Sequence, residues 1–191
     1  MKIVCLKKNY NKFKLLEDNY EKILCEIPHF DINKVSIYRK QNEWNNEKGG
    51  QLAEKLHINK EWIGTWDFSK KWFNFPLIYY DNIIGFAESL CPTTISILKK
   101  IGGINIAGFS LLLPNTSLQP HTDSTGPTYN SMALNMHLIG EKSTLYVKNN
   151  GSYHNYTHKN GSIVIFNPEN QHYADNMSCI NRIILYIDFA L

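Results

Sequence analysis

Residues 132–166 read MALNMHLIGEKSTLYVKNNGSYHNYTHKNGSIVIF. Within them Met132–Ile139, Thr144–Val147, Tyr153–Thr157 and Ile163–Phe166 are short runs of β-branched, aliphatic and aromatic residues, separated by turn formers. Asn150-Gly151 and Asn160-Gly161 read as hairpin turns, because Asn and Gly tolerate the positive φ of a type I′ turn. Ile104–Leu113 before this stretch and Ile183–Phe189 after it have the same texture. Short strands at this spacing predict a mainly β fold, an all-β barrel or double-sheet jelly roll, with N-terminal helices packed on one side.

The chain before residue 104 has a different pattern. Leu16, Tyr20, Ile23, Leu24 and Ile27 recur at helical spacing opposite Glu17, Asp18, Glu21 and Lys22, which predicts an amphipathic helix over 13–27 ended by Pro28. Gln41–Gly50 reads as a polar surface loop, and Gln51–Leu56 as one or two helical turns. Trp62–Tyr80 is crowded with aromatic residues and is expected in the core, since aromatic side chains bury the most area per residue. Pro92-Thr93-Thr94 leads into a short helix over Ile95–Lys100, with Pro in the first turn and a hydroxyl cap, closed by Gly102-Gly103. The expected organisation is one domain over 1–191, helical and aromatic to about residue 103 and a jelly-roll core from about 104.

The bulk properties narrow the function. At 191 residues, 43% hydrophobic and 19% charged, the chain is of a size and composition to bury a substantial core. The net charge of +3 comes from dispersed Lys and Arg with no block of like charge, so nucleic-acid binding is not indicated. Cys5, Cys25, Cys91 and Cys179 are far apart and lack paired spacing, as expected of reduced thiols. The apolar part of Met1–Lys8 is too short for a signal peptide, and no run is long enough to span a membrane. A cytoplasmic protein is expected.

His121-Thr122-Asp123 places an imidazole and a carboxylate at i and i+2, on one face of extended backbone and roughly 7 Å apart at Cα. His172 follows the strand Ile163–Phe166 and the Asn167-Pro168 turn, where a jelly roll returns a later strand end beside an earlier one. Two histidines and one carboxylate leave metal positions open, as non-haem iron(II) oxygenases require for a cosubstrate and O₂; the ligand types also suit zinc. Arg182 begins the last strand on one face with Ile184 and Tyr186, and an inward arginine needs a partner that a bound dicarboxylate supplies. Ser110 and His137 alternate onto interior faces of their strands and offer further polar contacts.

These residues resemble the aspartyl/asparaginyl β-hydroxylase family of 2-oxoglutarate oxygenases. The similarity runs from about Trp66 to Phe189 and is strongest in Phe109-Ser110 with Pro120-His121-Thr122, in Leu134-Asn135-Met136-His137-Leu138, and from Gly161–Phe166 through His172 to Arg182. The resemblance implies a double-stranded β-helix of cupin-like type, with iron(II) on His121 and His172. It places the far carboxylate of 2-oxoglutarate on Arg182 and Ser110, and the metal-side carboxylate near His137. It implies oxidative decarboxylation to succinate and CO₂ with hydroxylation of a C–H bond in a protein, peptide or small-molecule substrate: an aspartyl or asparaginyl side chain in a protein, a free amino acid or peptide, or a lipid acyl chain. Asp123 stands near where the animal enzymes have glycine and offers a third ligand. Asn135 stands where they have a second cosubstrate-binding arginine, which leaves less positive charge.

Other readings stand beside these. Asp123 also fits a cap of the Ser124–Pro127 turn, Arg182 a surface pair with Asp175 or Asp188, and His137 a satisfied core histidine. His154 and His158 read as exposed hairpin residues, while His29, His57 and Cys179 have no assigned role. At the level of function, an inactive jelly-roll module that binds a small acid and a zinc-dependent cupin-type enzyme are the rivals.

Overall fold

The structure is a computed structural model that describes residues 10–35, 62–65, 70–79, 82–123 and 131–190. The expected loop 41–50, the helical turns 51–56, and Cys5, His57, Trp66, Phe68 and Tyr80 lie outside the described residues.

Helices α1 (Tyr10–Glu17) and α2 (Tyr20–Cys25) stand where the sequence predicts one helix over 13–27. The break falls at Asn19, whose side-chain amide donates to Leu15 O at 2.9 Å and so competes with the backbone ladder. Phe13, Leu16 and Ile23 still face the core, each contributing about 1.5–3 kcal/mol by leaving water. Helix α3 (Ala87–Leu90) leads into α4 (Pro92–Ile101), which starts at Pro92 rather than Ile95. Its cap is not a local hydroxyl. Glu26, just past α2, accepts hydrogen bonds from Thr93 N, Thr94 N and Thr94 Oγ1, each at 2.7 Å. Burial alone would raise the Glu26 pKa, but these bonds from Thr94 and Thr93 pull it below its ordinary value.

The strands in chain order are β1 (Ile63–Gly64), β2 (Trp72–Tyr79), β3 (Asn82–Ile83), β4 (Ile104–Leu112), β5 (Thr116–Ser117), β6 (Ser131–Ile139), β7 (Ser143–Asn149), β8 (Ser152–Thr157), β9 (Ile163–Phe166), β10 (His172–Asn176) and β11 (Arg182–Ala190). A seven-stranded sheet has the order β1-β2-β4-β11-β6-β9, with β3 also paired to β2, and a four-stranded sheet has the order β5-β10-β7-β8. This is the mainly β jelly roll, a double-stranded β-helix, that the strand pattern predicts. The large sheet draws on chain from both sides of residue 103, because β2 pairs with β4.

The two faces of the large sheet differ in chemistry. One carries Phe73, Phe75, Phe109, Leu111, Met136 and Leu185 and packs with the helices into the main core. The other faces the four-stranded sheet across a smaller apolar cluster that includes Leu112, Ala133, Leu145, Val147, Phe166 and Ala174. Alternation places the polar side chains of β4, β6 and β11 between the sheets.

Asn150 and Gly151 have φ of 49° and 83° and join β7 to β8 in the expected hairpin. Asn160-Gly161 does not close a hairpin. β8 pairs with β7 and β9 with β6, so this turn carries the chain from one sheet to the other, with Gly161 at φ 77°. Cys25, Cys91 and Cys179 are free thiols, and among the described residues no helix is long and apolar enough to cross a membrane.

Glu26→Ala is expected to lower stability at pH 7 by about 1–2 kcal/mol in chemical denaturation. A carboxyl whose pKa falls on folding stabilises above its unfolded value and loses that contribution as pH drops through the folded one. A difference between parent and variant that does not narrow below about pH 4 would count against the remote cap.

Candidate functional site

A single register change sets the site. β5 pairs with β10 through Thr116↔Asn176 and Ser117↔Asp175, and Leu118 N donates to Ala174 O at 2.9 Å in the same register. His121 then faces His172 across an isolated bridge, with His121 N donating to His172 O at 2.9 Å and His172 N to His121 O at 2.8 Å. Between Leu118 and His121 this segment carries one residue more than its partner, an irregularity at Gln119-Pro120. Proline suits such a bulge because it has no N–H to donate. Thr116 and Leu118 point inward, so unbroken alternation would turn His121 outward; the extra residue brings it inward beside His172.

Both rings are held by the backbone. His121 Nδ1 lies 2.8 Å from Gln119 O, and His172 Nδ1 lies 2.9 Å from Asn170 O. A carbonyl only accepts, so each ring carries its proton on Nδ1 and has its lone pair at Nε2. Asp123 N donates to Pro168 O at 3.0 Å, and the Asp123 carboxylate lies 4.0 Å from His121 Nε2 and 3.6 Å from His172 Nε2. One ligand atom from each of the three residues lies within 4.8 Å of the others. Burial alone would raise the Asp123 pKa, and the hydrogen bond that the Tyr186 hydroxyl donates to Oδ2 at 3.3 Å opposes this. This is the donor set expected of a metal centre, with outer hydrogen bonds orienting each ligand.

Deeper between the sheets, register aligns the remaining expected residues. Across β11, Ile184 pairs with Ser110 on one side and His137 on the other, and Tyr186 with Gly108 and Asn135. Arg182 therefore shares its face with Ser110, His137 and Asn135. Its side chain is buried, and among the described residues it forms no ion pair within 4.0 Å. Neither acidic partner weighed from the sequence takes it. Asp175 accepts from Thr144 N and Tyr146 Oη, each at 3.0 Å, and Asp188 accepts from Asn105 Nδ2 at 2.8 Å and Ser131 Oγ at 3.4 Å. Burial pushes the Arg182 guanidinium down to about 10, with Asp175 opposing, so it stays charged at neutral pH.

Among the described residues, four buried polar atoms have no hydrogen-bond partner: Arg182 Nε, Asn135 Oδ1, His137 Nδ1 and His158 Nε2. Leaving such atoms unmet costs about 1–3 kcal/mol each, and more for a charged group. His137 Nε2 lies 3.1 Å from Gly140 O, which assigns the proton to Nε2, and burial and Arg182 lower its pKa to about 4. Gly140, at φ 134°, is the close approach that allows this; a Cβ there would lie 3.2 Å from His137 Cε1 and 3.3 Å from Arg182 Cα. Ser110 Oγ accepts from Trp72 Nε1 at 2.8 Å, which leaves its hydroxyl proton to donate elsewhere.

Sequence reading missed three participants. Tyr186 and Trp72 orient Asp123 and Ser110. His158, expected to be exposed, is buried and stacked on His137 with ring centroids 5.0 Å apart. Its polar neighbours suggested solvent, whereas its parity with Tyr156, which packs on the inner cluster, was the usable signal. His154, expected to be exposed, is partly exposed, and His29, given no role, is exposed.

A family model described as Aspartyl/Asparaginyl beta-hydroxylase matches residues 17–190. The chain belongs to this family. A protein of Acanthamoeba polyphaga mimivirus, named Uncharacterized protein L888, is 28% identical over 181 residues, covering 91% of this chain and 64% of that relative. The chain therefore spans less than two thirds of that relative's length. Among solved structures, a predicted oxalate decarboxylase of Thermotoga maritima is 12% identical with a TM-score of 0.40, covering 63% of this chain and 81% of that one. The Cupin_2 domain of a transcriptional regulator from Enterobacter cloacae is 14% identical with a TM-score of 0.40, covering 63% and 98%.

Arg182 is buried without a carboxylate partner among the described residues, so its charge is expected to cost stability. Arg182→Met removes a buried, unpaired charge while keeping most of the side-chain length, and is expected to leave the ligand-free Tm unchanged or to stabilise by about 1–4 kcal/mol. A loss larger than about 2 kcal/mol in thermal or denaturant unfolding would mean that the guanidinium holds the fold itself.

Proposed function

We propose that the protein is an iron(II)- and 2-oxoglutarate-dependent oxygenase that hydroxylates an aspartyl, asparaginyl or other amino-acid side chain in a protein or peptide. One observation carries this reading: a two-histidine, one-carboxylate cluster shares an inter-sheet surface with a buried arginine that has no carboxylate partner among the described residues. Arg182 and Tyr186 lie four residues apart on the same face of β11, roughly 13 Å at Cα, so the guanidinium and the metal ligands bracket one strip of the interior.

The residues fit the implied groups. His121 and His172 present Nε2 lone pairs, and Tyr186 donates to Asp123 and favours its carboxylate form, so the donor set suits a divalent ion. Iron, when bound, supplies the activation of O₂ that accompanies oxidation and decarboxylation of the 2-oxo acid. The chain's part is to bind, orient and keep water out. Arg182 binds the far carboxylate as a fixed fork of donors, and Ser110, aligned by Trp72, donates its hydroxyl proton beside it. His137 and Asn135 line the path from that end towards the metal. Leu112, Leu145, Val147, Phe166 and Ala174 close the interior to solvent, which strengthens each of these contacts.

A zinc centre is the second reading, because two imidazoles and a carboxylate also suit zinc. It leaves Arg182 without a role, since activating water calls for no buried cation at that depth. Protein purified anaerobically and loaded with iron should release CO₂ from labelled 2-oxoglutarate, and zinc should not restore that activity. His172→Ala should lose turnover at every cosubstrate concentration, while Arg182→Ala should be partly rescued by excess. Both variants behaving like the parent would overturn the site assignment, and binding of 2-oxoglutarate without succinate would identify an inactive binding module.

A further inference from the structure

His158 follows β8 where the chain crosses from the small sheet to the large one, and its N–H donates to Ser143 O at 2.9 Å. Its side chain is buried, with the ring stacked on His137 at an interplanar angle of 25°. Nδ1 lies 3.4 Å from an Arg182 terminal nitrogen and 3.3 Å from Ser143 Oγ. A guanidinium N–H can only donate, so Nδ1 is the ring's acceptor and the proton sits on Nε2. That N–H is buried and has no partner among the described residues, and neither has the Arg182 Nε–H.

Packing does not explain an imidazole here. Phenylalanine would stack on His137 as well and would bury no Nε2 donor, though it would take from Arg182 the acceptor at Nδ1. Charge does not explain it either. Burial, the Arg182 charge and His137 push its pKa down to about 2, so the ring is neutral at physiological pH and cannot act as a second cation. The remaining property is a fixed neutral donor held against a permanent cation, a pair suited to an acceptor-only carboxylate.

We propose that His158 is a binding residue for the far carboxylate of the 2-oxoglutarate cosubstrate: Arg182 donates into Nδ1 and thereby fixes Nε2–H as a second donor beside its own guanidinium. This rests on the oxygenase reading above, and it adds a specificity. The clamp distinguishes a 2-oxo diacid from a 2-oxo monoacid, because only the diacid has a carboxylate at that end.

The test is anaerobic calorimetric titration of metal-loaded protein with 2-oxoglutarate and with 2-oxobutyrate, which lacks the far carboxylate. His158→Phe keeps the stack and removes both the Nε2 donor and the acceptor used by Arg182; it should raise the Kd for 2-oxoglutarate roughly tenfold to a hundredfold. Its Kd for 2-oxobutyrate and its metal content should stay at the parent's values. His158→Gln, which returns an N–H near the same place, should recover most of the loss. If the parent binds no 2-oxoglutarate, the oxygenase reading fails and this inference fails with it. If the parent binds and His158→Phe binds equally well, or loses both acids equally, only the role of His158 is overturned. Should the Phe variant not fold, the parent decides: in ¹⁵N-histidine spectra the Nε2–H signal of His158 should shift on addition of 2-oxoglutarate, and an unmoved signal overturns the proposal.

Discussion

The reciprocal pair of backbone hydrogen bonds between His121 and His172 is the constraint on which the site depends. It holds together two residues 51 positions apart in the chain (172 minus 121) and sets them as directly opposed partners on one face. Side chains of such a pair point the same way, about 5.5 Å apart at Cα. The carbonyls of Gln119 and Asn170, two residues before each histidine, then fix the rings' tautomers. Backbone geometry thus presents two bare Nε2 atoms to a common point before any ion is considered, and Asp123 follows from the same segment, anchored to Pro168.

The second constraint is the contrast between the faces of the large sheet. The helix-side face is apolar and carries most of the burial. The inter-sheet face holds a small apolar cluster and, among it, a buried arginine, two neutral imidazoles and an amide. Such groups destabilise a core unless something pairs with them. The main core supplies the stability that lets the other face keep these polar groups between the sheets. The remote cap of α4 by Glu26 belongs to the same economy, because it ties α2 to α4 on the apolar side and leaves the pocket side untouched.

Much of this was legible in residue order. Asn150-Gly151 and the strands that flank it follow from local φ preferences and alternation, which depend on near neighbours alone. The two-residue spacing of His121 and Asp123 is legible for the same reason. The strand β2 was hidden because aromatic residues stand on both of its faces: Trp72 turns to the site and Phe73 to the core, so no alternation of polarity marks it. Asn19 split the first helix because its amide found a carbonyl one turn back, a contact that hydrophobic spacing does not report. Asn160-Gly161 has hairpin chemistry, yet the partners of β8 and β9 lie in different sheets.

What the sequence determined by itself is the strand-rich architecture, the residue types able to bind a metal, and an arginine on the inward face of the last strand, all products of local propensity and side-chain parity. The tertiary structure decided that an added residue at Gln119-Pro120 turns His121 inward, that Asp175 and Asp188 are engaged elsewhere and do not pair with Arg182, and that His158 is inside. Each is a matter of which distant backbone pairs with which. Register between strands is set by the sum of many contacts across the sheets, and no single stretch of residues contains it.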